Sequence, residues 1–298
     1  MIMKAAKELT GNLITHAGIF HADDVMAAAI LDKALGGINF ISRVFSIPED
    51  IRPNAVIFDI GGGKFDHHQK GGNGCRENGI PYAAAGLIWK EYGPAIVADS
   101  MAPEFVWNYI DEHLIQGIDA IDNGVGENPD KLMTLSAAIS GFNPTWDSDI
   151  NADEVFIKAT EFATAILNNA LATAISIAKA EAIVEDAIEK SEEGIMILEQ
   201  YAPWDTYVFN SNNQKAKDIL FVVFPSNRGG YMWQCVPDQL GSFGQRKTVP
   251  ETWKGLRDKE LQEATGVADA VFCHQAGFCG SAESLEGAIA MAKIAVVS

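Results

Sequence analysis

The chain has 298 residues, of which 48% are hydrophobic and 21% are charged, and this balance excludes a fibrous repeat or a disordered chain. No two of its four cysteines have the CxxC spacing, which disfavours a disulfide scaffold or a zinc ribbon. Widely spaced cysteines of this kind predict reduced thiols in a cytoplasmic protein. The formal net charge of −18 disfavours a broad basic surface of the kind that binds nucleic acid.

The charge is unevenly distributed along the chain. Residues 1–200 hold 13 Lys and Arg against 30 Asp and Glu, whereas residues 201–298 hold 9 against 10. Within the second part, residues 228–259 hold six basic and three acidic residues. The acidic part could bind cations and the second part an anion, although composition alone favours a plain solvated acidic surface.

The first half alternates short apolar runs with helical segments. The predicted elements are, in chain order, a strand at Leu13-Ile14, a helix over Val25–Leu35, strands over Ile38–Phe45 and Ala55–Ile60, and helices over Ala83–Tyr92 and Glu104–Ile121. This alternation predicts an α/β domain with a parallel sheet covered on both faces. Functional groups in such sheets collect at the carboxyl ends of the strands.

A long helix is predicted over residues 152–193, and it connects the first domain to a second. Its uncharged stretch, Phe162–Ala178, has 17 residues and includes Asn168 and Asn169. A membrane-spanning helix needs about 20 apolar residues, so we interpret the stretch as a buried helix and expect no membrane partner.

The second half changes pattern and predicts a smaller α+β domain over residues 194–298, after a first domain over residues 1–193. The predicted elements are strands over Met196–Leu198, Thr206–Phe209, Ile219–Phe224, Tyr231–Val236 and Ala270–His274, a hairpin turn over Asn210–Asn213 and a closing helix over Ala282–Ile294.

The first chemical motif lies between a strand and a helix and reads His16-Ala-Gly-Ile-Phe-His21-Ala-Asp23-Asp24. Its imidazoles and carboxylates suit Mn, Fe or Zn. The aspartates also fall in the first turn of the predicted helix, where one of them could simply cap it. A cap does not explain the two histidines, so the motif favours a metal site.

The second motif follows the strand over residues 55–60. Asp59 is followed by three glycines and then by Asp66-His67-His68. A carboxylate at a strand end can bridge two cations. One imidazole of the pair can bind a metal while the neighbouring aspartate accepts its second N–H and fixes the tautomer. The alternative, a surface loop that holds these residues by chance, is weakened by the presence of the first motif.

A third motif closes the helix predicted to end near Gly124. Asp119 and Asp122 lie one turn apart there and can share a face. Carboxylates at a helix C-terminus are disfavoured by the helix dipole, so a nearby cation would explain them. Together the three motifs hold enough ligands for two metal ions with a bridging carboxylate, which is the usual arrangement for phosphoryl displacement.

The ordered segments THAGIFHADD, VIFDIGGGKFDHH and GIDAIDNG resemble the DHH phosphoesterase superfamily. The later segments GYMWQCVP, PETWKGLRD and FCHQAGFCG make the resemblance closer to the melanocyte-proliferating-gene (Myg) exonuclease family, whose older label is metal-dependent protein hydrolase. The resemblance covers about residues 14–290. It implies a DHH-type metal domain joined by a long helix to a substrate-binding domain, and a metal-dependent 3′–5′ exonuclease on single-stranded RNA or short oligonucleotides. It also implies two divalent ions, with Mn²⁺ expected and Mg²⁺ or another transition metal as alternatives.

The resemblance also implies roles for individual residues. The implied metal ligands are His16, His21, Asp23, Asp59, His67 and Asp122. In the DHH triplet, His68 faces the scissile phosphate and Asp66 lies behind His67. The first motif departs from the usual His-x3-Asp spacing, because His16 and His21 are one residue further apart and His21 takes a place usually held by Asp. Asp24 therefore remains an alternative to Asp23, and Asp119 an alternative to Asp122.

The second domain is expected to bind the substrate. Arg228, Arg246 and His274 can contact phosphates, and Gly277 and Gly280 allow close approach of backbone amides. The alternative for each arginine is a solvated surface position. Other function classes that stay open are a phosphatase or phosphodiesterase of small substrates and a catalytically silent binding protein. A peptide hydrolase is disfavoured because the chain lacks HExxH and a nucleophile elbow. The oligomeric state is left open.

Overall fold

A computed structural model describes residues 13–38, 40–51, 54–125 and 133–298. The chain divides into two compact units, Met1–Ala178 and Lys179–Ser298. The division falls inside one long helix, whereas the sequence placed the domain boundary after residue 193. The reason is that the last turns of this helix pack within the second unit, where Ser211 Oγ donates a hydrogen bond to Glu185.

The first unit contains a three-stranded parallel sheet and the helices that cover it. Its elements are β1 (Leu13–His16), α1 (Ala22–Leu35), β2 (Ile41–Val44), β3 (Val56–Ile57), α2 (Ala84–Val97), α3 (Pro103–Ile110), a π-helical segment (Asp111–Ile115), α4 (Gln116–Asp122), α5 (Leu135–Ser140) and the first part of α6 (Ala152–Glu189). The strand order is β2-β1-β3, and both pairings are parallel. The predicted mixed α/β class and parallel sheet are confirmed.

The core of this unit forms around α1. Ten successive residues of α1, Ala22 to Leu31, are buried, because the helix packs against α2 and also contacts α4 and α5. Burial on every side explains its high content of alanine, which lets neighbouring elements approach closely. Because β1 and β3 run parallel, the residues that follow them lie at one edge of the sheet, and the first turn of α1 lies there too.

The long helix α6 has 38 residues and is apolar enough, by length and composition alone, to cross a membrane, a test that core helices of other proteins also pass. Its first part buries a single face. Val155 is buried next to Phe156, and from Phe156 on the buried residues recur every three or four positions: Ala159, Ala163, Leu167, Leu171, Ala174 and Ala178. This spacing is that of a helix packed against a protein core, since one stripe is buried and the opposite side remains exposed.

The second unit contains a mixed five-stranded sheet of order β4-β5-β6-β8-β7. Its elements are β4 (Ile195–Ile197), α7 (Asp205–Asn210), α8 (Lys215–Asp218), β5 (Phe221–Pro225), β6 (Tyr231–Cys235), a 3₁₀ turn (Glu251–Trp253), α9 (Asp258–Thr265), β7 (Ala270–Cys273), β8 (Cys279–Ala282) and α10 (Leu285–Val297). The pair β4–β5 is parallel and the other pairs are antiparallel. The core includes Trp233 and Trp253, which are fully enclosed.

One strand prediction is wrong. Residues Thr206–Phe209 were expected to form a strand because they are β-branched and aromatic, but they lie in helix α7. Tyr207 and Val208 are buried neighbours on that helix, so tertiary packing overrides the local preference. The segment Asn210–Asn213 therefore joins two short helices and is not a hairpin turn.

Candidate metal centre

The three motifs meet at the carboxyl edge of the parallel sheet. His16 is the last residue of β1, and Asp59 follows the short strand β3. Asp59 adopts a left-handed backbone conformation, with φ of 55°, which is uncommon for a residue other than glycine. Its amide donates to the carbonyl of Phe65, so the loop that carries the DHH triplet holds this conformation in place.

One side of the centre is formed by His16, Asp24 and Asp59. His16 Nε2 lies 3.0 Å from Asp24 Oδ2 and 3.3 Å from Asp59 Oδ2. Asp24 is completely buried in the first turn of α1, where its other oxygen accepts the amide of His21. Asp24 therefore caps the helix with one oxygen and faces the centre with the other.

The other side is formed around His67. Its Nε2 lies 3.2 Å from Asp59 Oδ1, 3.2 Å from Asp122 Oδ2 and 3.6 Å from Asp23 Oδ2. Its Nδ1 lies 3.4 Å from Asn123 Oδ1, which favours a proton on Nδ1 and leaves Nε2 free to bind. The two oxygens of Asp59 thus face two different imidazoles, one on each side.

His68 and His21 lie at the open edge of the centre, with side chains 56% and 53% exposed. His68 Nδ1 is 2.9 Å from Asp66 Oδ1 and 3.4 Å from Asp59 Oδ1. Asp66 also accepts the amides of His68 and Gly62, so it orients His68 and not His67, which it was expected to support. His21 Nδ1 lies 3.7 Å from Asp122 Oδ1.

The centre leaves buried polar atoms without a hydrogen bond of acceptable geometry among the described residues. These atoms are Asp23 Oδ1, Asp24 Oδ2, Asp59 Oδ1, Asp59 Oδ2 and His67 Nε2. Leaving such groups unsatisfied is costly, and several in one place call for a ligand. Three sets of side chains offer donor atoms within 4.8 Å of one another: His16-Asp24-Asp59, Asp59-His67-His68 and His21-Asp23-Asp122. Mixed imidazole and carboxylate donors fit a divalent transition metal.

The protonation of these groups reflects the same crowding of carboxylates. The close contacts of His16 with the carboxylates of Asp24 and Asp59 raise its pKa from 6.5 to about 10. Burial raises the pKa of Asp23, and the charge of Asp59 raises it further. Burial also acts on Asp59, but the imidazoles of His16 and His67 outweigh it and lower the pKa of that carboxyl. Protons on the imidazoles supply positive charge that a bound cation would replace.

The geometry distinguishes the alternatives that the sequence left open. Asp23 and Asp24 both face the centre, on opposite sides of Asp59, so the two residues that the sequence treated as alternatives are both ligand candidates. Asp122 lies beside His67, whereas Asp119 pairs with Arg76 Nη1 at 2.8 Å and accepts the amide of Gly86. The spacing of one turn suggested that Asp119 and Asp122 share a face, but the structure gives them different partners.

A buried ion-pair network supports the helix that carries Asp122. Arg76 donates to Asp111 through Nε and Nη2, both at 2.7 Å, and its guanidinium lies 4.4 Å from the ring of Tyr82. With the Asp119 contact, one arginine joins the π-helical segment to α4. No sequence motif identified Arg76, because its partners lie 35 and more residues away.

In the second unit, two of the predicted substrate residues line one cavity of about 850 Å³. Arg228 and His274 lie there together with Arg257, and all three side chains belong to exposed residues. Gly280 lies in β8, where an added Cβ would be 2.3 Å from the buried Trp233, so it serves close packing. Gly277 adopts φ of 71° in the turn before β8.

Arg246 lies apart from that cavity. Its Nη1 donates to the carbonyls of Ala216 and Ile219, at 2.7 and 3.0 Å, and its guanidinium lies over the ring of Phe209 at 4.9 Å. These contacts tie helix α8 and the start of β5 to the segment after β6. They occupy Nη1, one of the groups that were expected to contact a phosphate.

Comparisons with known proteins place the chain in a family. A family model described as an uncharacterised protein family, UPF0160, and labelled MYG1_exonuc matches residues 12–296. The MYG1 protein YER156C of Saccharomyces cerevisiae is 29% identical in an alignment of 336 positions, gaps included, which covers 99% of this chain and 98% of the relative. The MYG1 exonuclease of Homo sapiens is 29% identical over 317 residues, which cover 94% and 84%. The MYG1 protein of Dictyostelium discoideum is 29% identical over 313 residues, which cover 94% of each.

No solved structure matches the chain. The family model nevertheless spans both compact units, and the relatives align over most of their own length. The Myg family expected from the motifs is therefore confirmed, and the chain belongs to the MYG1_exonuc family, UPF0160.

Proposed function

We propose that the chain is a metal-dependent phosphodiesterase of the DHH type that removes nucleotides from the 3′ end of single-stranded RNA or short oligonucleotides. Relatives from human, mouse and rat that bear the name MYG1 exonuclease support the nuclease class. The observation that carries the proposal is the position of Asp59, whose two oxygens face two separate imidazoles.

This position suits a carboxylate that bridges two cations. Two metals about 3.5–4 Å apart, joined by such a bridge, are the usual device for in-line phosphoryl displacement. His16 and Asp24 would hold one ion with Asp59. His67, Asp23 and Asp122 would hold the other, with His21 at its open edge. The mixed imidazole and carboxylate set suits Mn²⁺, Fe²⁺ or Zn²⁺, and we expect Mn²⁺ because the family resemblance implies it.

The chain's own residues would divide the remaining work. Bound divalent cations supply Lewis acidity, which lowers the pKa of water and offsets phosphate charge. Asp66 accepts from Nδ1 of His68, so Nε2 is the atom left to face the scissile phosphate. With protons on both ring nitrogens, His68 would donate the Nε2 proton to the leaving oxygen and remain as a neutral imidazole protonated at Nδ1. Asn123 fixes the ring of His67. The buried Asp23 and Asp24 keep the ligand set rigid, because α1 holds them in its first turn.

The second unit would bind the rest of the polyanion. Its cavity carries Arg228, Arg257 and His274, which can contact backbone phosphates. We assign Arg246 a structural role, because carbonyl groups occupy its Nη1. Gly277 is buried and its amide donates to the carbonyl of His274, so we assign it to the turn before β8.

The test uses metal-free protein and a single-stranded RNA labelled at its 5′ end. Incubation with Mn²⁺ should give products that shorten by one nucleotide at a time, and without metal the RNA should stay intact. DNA of the same sequence and Mg²⁺ in place of Mn²⁺ define the preferences. Asp59→Asn should abolish the reaction, and Asp99→Asn, at an exposed position outside the centre, is the matched control.

Each outcome decides between the function classes. Stepwise shortening of RNA supports the exonuclease, and internal cuts contradict the 3′–5′ direction. Hydrolysis confined to dinucleotides or small phosphate esters would favour the small-substrate phosphodiesterase. A folded protein that binds Mn²⁺ yet hydrolyses none of these substrates would be a silent binding protein, and the proposal would be wrong.

A further inference from the structure

A cavity of about 470 Å³ opens beside the metal centre in the first unit. His21 and Asp122, which lie at the open edge of the centre, also line this cavity. The other described lining residues are Ala22, Ile121, Thr134, Ser136, Ala137 and Ser140. Its volume lies within the range of about 300–1,000 Å³ that is typical of small-molecule sites.

The described lining favours a hydroxyl-bearing group over a second phosphate. It includes the carboxylate of Asp122, and no lysine or arginine occurs among the described residues that line the cavity. Three hydroxyl side chains line it, on and beside helix α5. Ile121, which is 45% exposed, adds apolar surface to the cavity.

Two of these hydroxyls are available to a ligand. Thr134 Oγ1 accepts the amide of Ala137, so its own proton remains free to be donated. Ser136 Oγ is buried and has no hydrogen-bond partner within the part of the chain that the structure describes. An unsatisfied buried hydroxyl beside an open cavity indicates that a ligand completes its hydrogen bonding.

We infer that this cavity is the site for the terminal nucleoside of the substrate, whose ribose hydroxyls contact Thr134 and Ser136. The inference rests on the proposed function and adds the end group that the site accepts. A 3′-terminal nucleoside carries a phosphate only on its 5′ side, where the centre lies, and a free hydroxyl on the other. The hydroxyl groups of the described lining and the carboxylate of Asp122 therefore favour a 3′-hydroxyl end and disfavour a 3′-phosphate.

The first experiment compares two RNA oligomers of one sequence that end in a 3′-hydroxyl or a 3′-phosphate. Wild-type protein with Mn²⁺ should cleave the hydroxyl end at least about tenfold faster, because the phosphate would enter a cavity lined by the carboxylate of Asp122 and, among its described residues, by no lysine or arginine. Equal rates on the two ends would overturn the inference and leave the proposed function intact. Failure to cleave either one would count against the proposed function.

The second experiment fills the cavity. Ala137→Trp places a large ring at an exposed lining position, and Ser140→Tyr does so one turn further on. Each variant should lower the ratio of kcat/KM for p-nitrophenyl thymidine 5′-phosphate over bis(p-nitrophenyl) phosphate at least about tenfold, because only the former carries a nucleoside. Ala165→Trp, at an exposed position on α6, is the matched control and should leave the ratio unchanged.

A binding measurement gives a readout that does not depend on turnover. Calorimetry with adenosine 5′-monophosphate and Mn²⁺ should show at least about tenfold weaker binding to Ala137→Trp or Ser140→Tyr than to wild type or Ala165→Trp. Circular dichroism identifies any variant that fails to fold. If one of the two variants fails to fold, the other still tests the inference. Folded variants with an unchanged ratio and unchanged binding would place the nucleoside elsewhere.

Discussion

The buried arginine Arg76 provides the strongest test of how the site is supported. Its guanidinium makes two contacts of 2.7 Å to Asp111 and one of 2.8 Å to Asp119. Asp119 is completely buried and Asp111 is 7% exposed. Replacing Arg76 with Met keeps much of the side-chain volume but leaves two carboxylates in the interior without their cation.

Removing one partner of a buried ion pair costs about 3–5 kcal/mol. Because Arg76→Met leaves two buried carboxylates without their cation, we expect the free energy of unfolding to fall by about 4–5 kcal/mol at pH 8, in the upper half of that range. Burial raises the pKa of Asp119, and Arg76 opposes that rise. Without Arg76 the folded-state pKa of Asp119 rises further above its unfolded value, so the variant recovers stability as the pH falls and Asp119 takes up a proton.

Urea unfolding followed by tryptophan fluorescence measures this loss, at pH 8 and again at pH 5.5. Lys70→Met, at an exposed position of the same unit, removes one positive charge and should change the free energy of unfolding by less than about 0.5 kcal/mol. Arg76→Lys should lie between, because an ammonium keeps the charge but cannot contact both aspartates as a planar fork. A loss below about 1 kcal/mol for Arg76→Met, or one that does not shrink at pH 5.5, would refute the reasoning.

Three further predictions follow from the same geometry. Asp59→Asn should weaken Mn²⁺ binding at least about 100-fold in calorimetry, while the circular dichroism spectrum stays unchanged. Loss of a residue that only supports a metal ligand already lowers metal affinity by about 10–100-fold, and Asp59 is placed as a ligand itself. Unaltered Mn²⁺ binding would show that Asp59 is not a ligand. The contacts with Asp24 and Asp59 raise the pKa of His16 to about 10 in the metal-free protein. The proton on His16 therefore stabilises the fold at neutral pH, and this stabilisation is lost as the pH rises through about 10. The same proton must be released when a metal binds. Mn²⁺ affinity should therefore rise by up to about tenfold per pH unit between pH 7 and 9, and a flat titration would contradict this. Gly86→Ala should destabilise the first unit by several kcal/mol in urea unfolding, because its Cβ would lie 1.9 Å from Asp119 Oδ2; a near-wild-type midpoint would mean that this network gives way easily.

Much of the arrangement of the centre was accessible from local sequence. His16 and Asp59 each follow an apolar strand, and parallel strands bring their carboxyl ends to one edge of a sheet. That rule is enough to predict that two motifs 43 residues apart in the chain contribute to one site. The family resemblance rested on the same ordered motifs, which the family model then matched over residues 12–296.

Local sequence did not distinguish between neighbouring carboxylates. Asp23 and Asp24 both face the centre because the helix turn places them on either side of Asp59, and Asp119 is bound by Arg76 from a distant loop. A sequence shows which groups are available but not which buried cation neutralises each one.

The amino-acid sequence by itself determined the alternation of strands and helices, the long helix and the donor set at the strand ends, because these depend on local periodicity and on residue chemistry. The tertiary structure decided the rest. Packing places Thr206–Phe209 in a helix, and Arg246 Nη1 donates to backbone carbonyls. The tertiary structure also formed the cavity beside Asp122. Each of these depends on contacts between residues far apart in the chain, whose energies no local pattern contains.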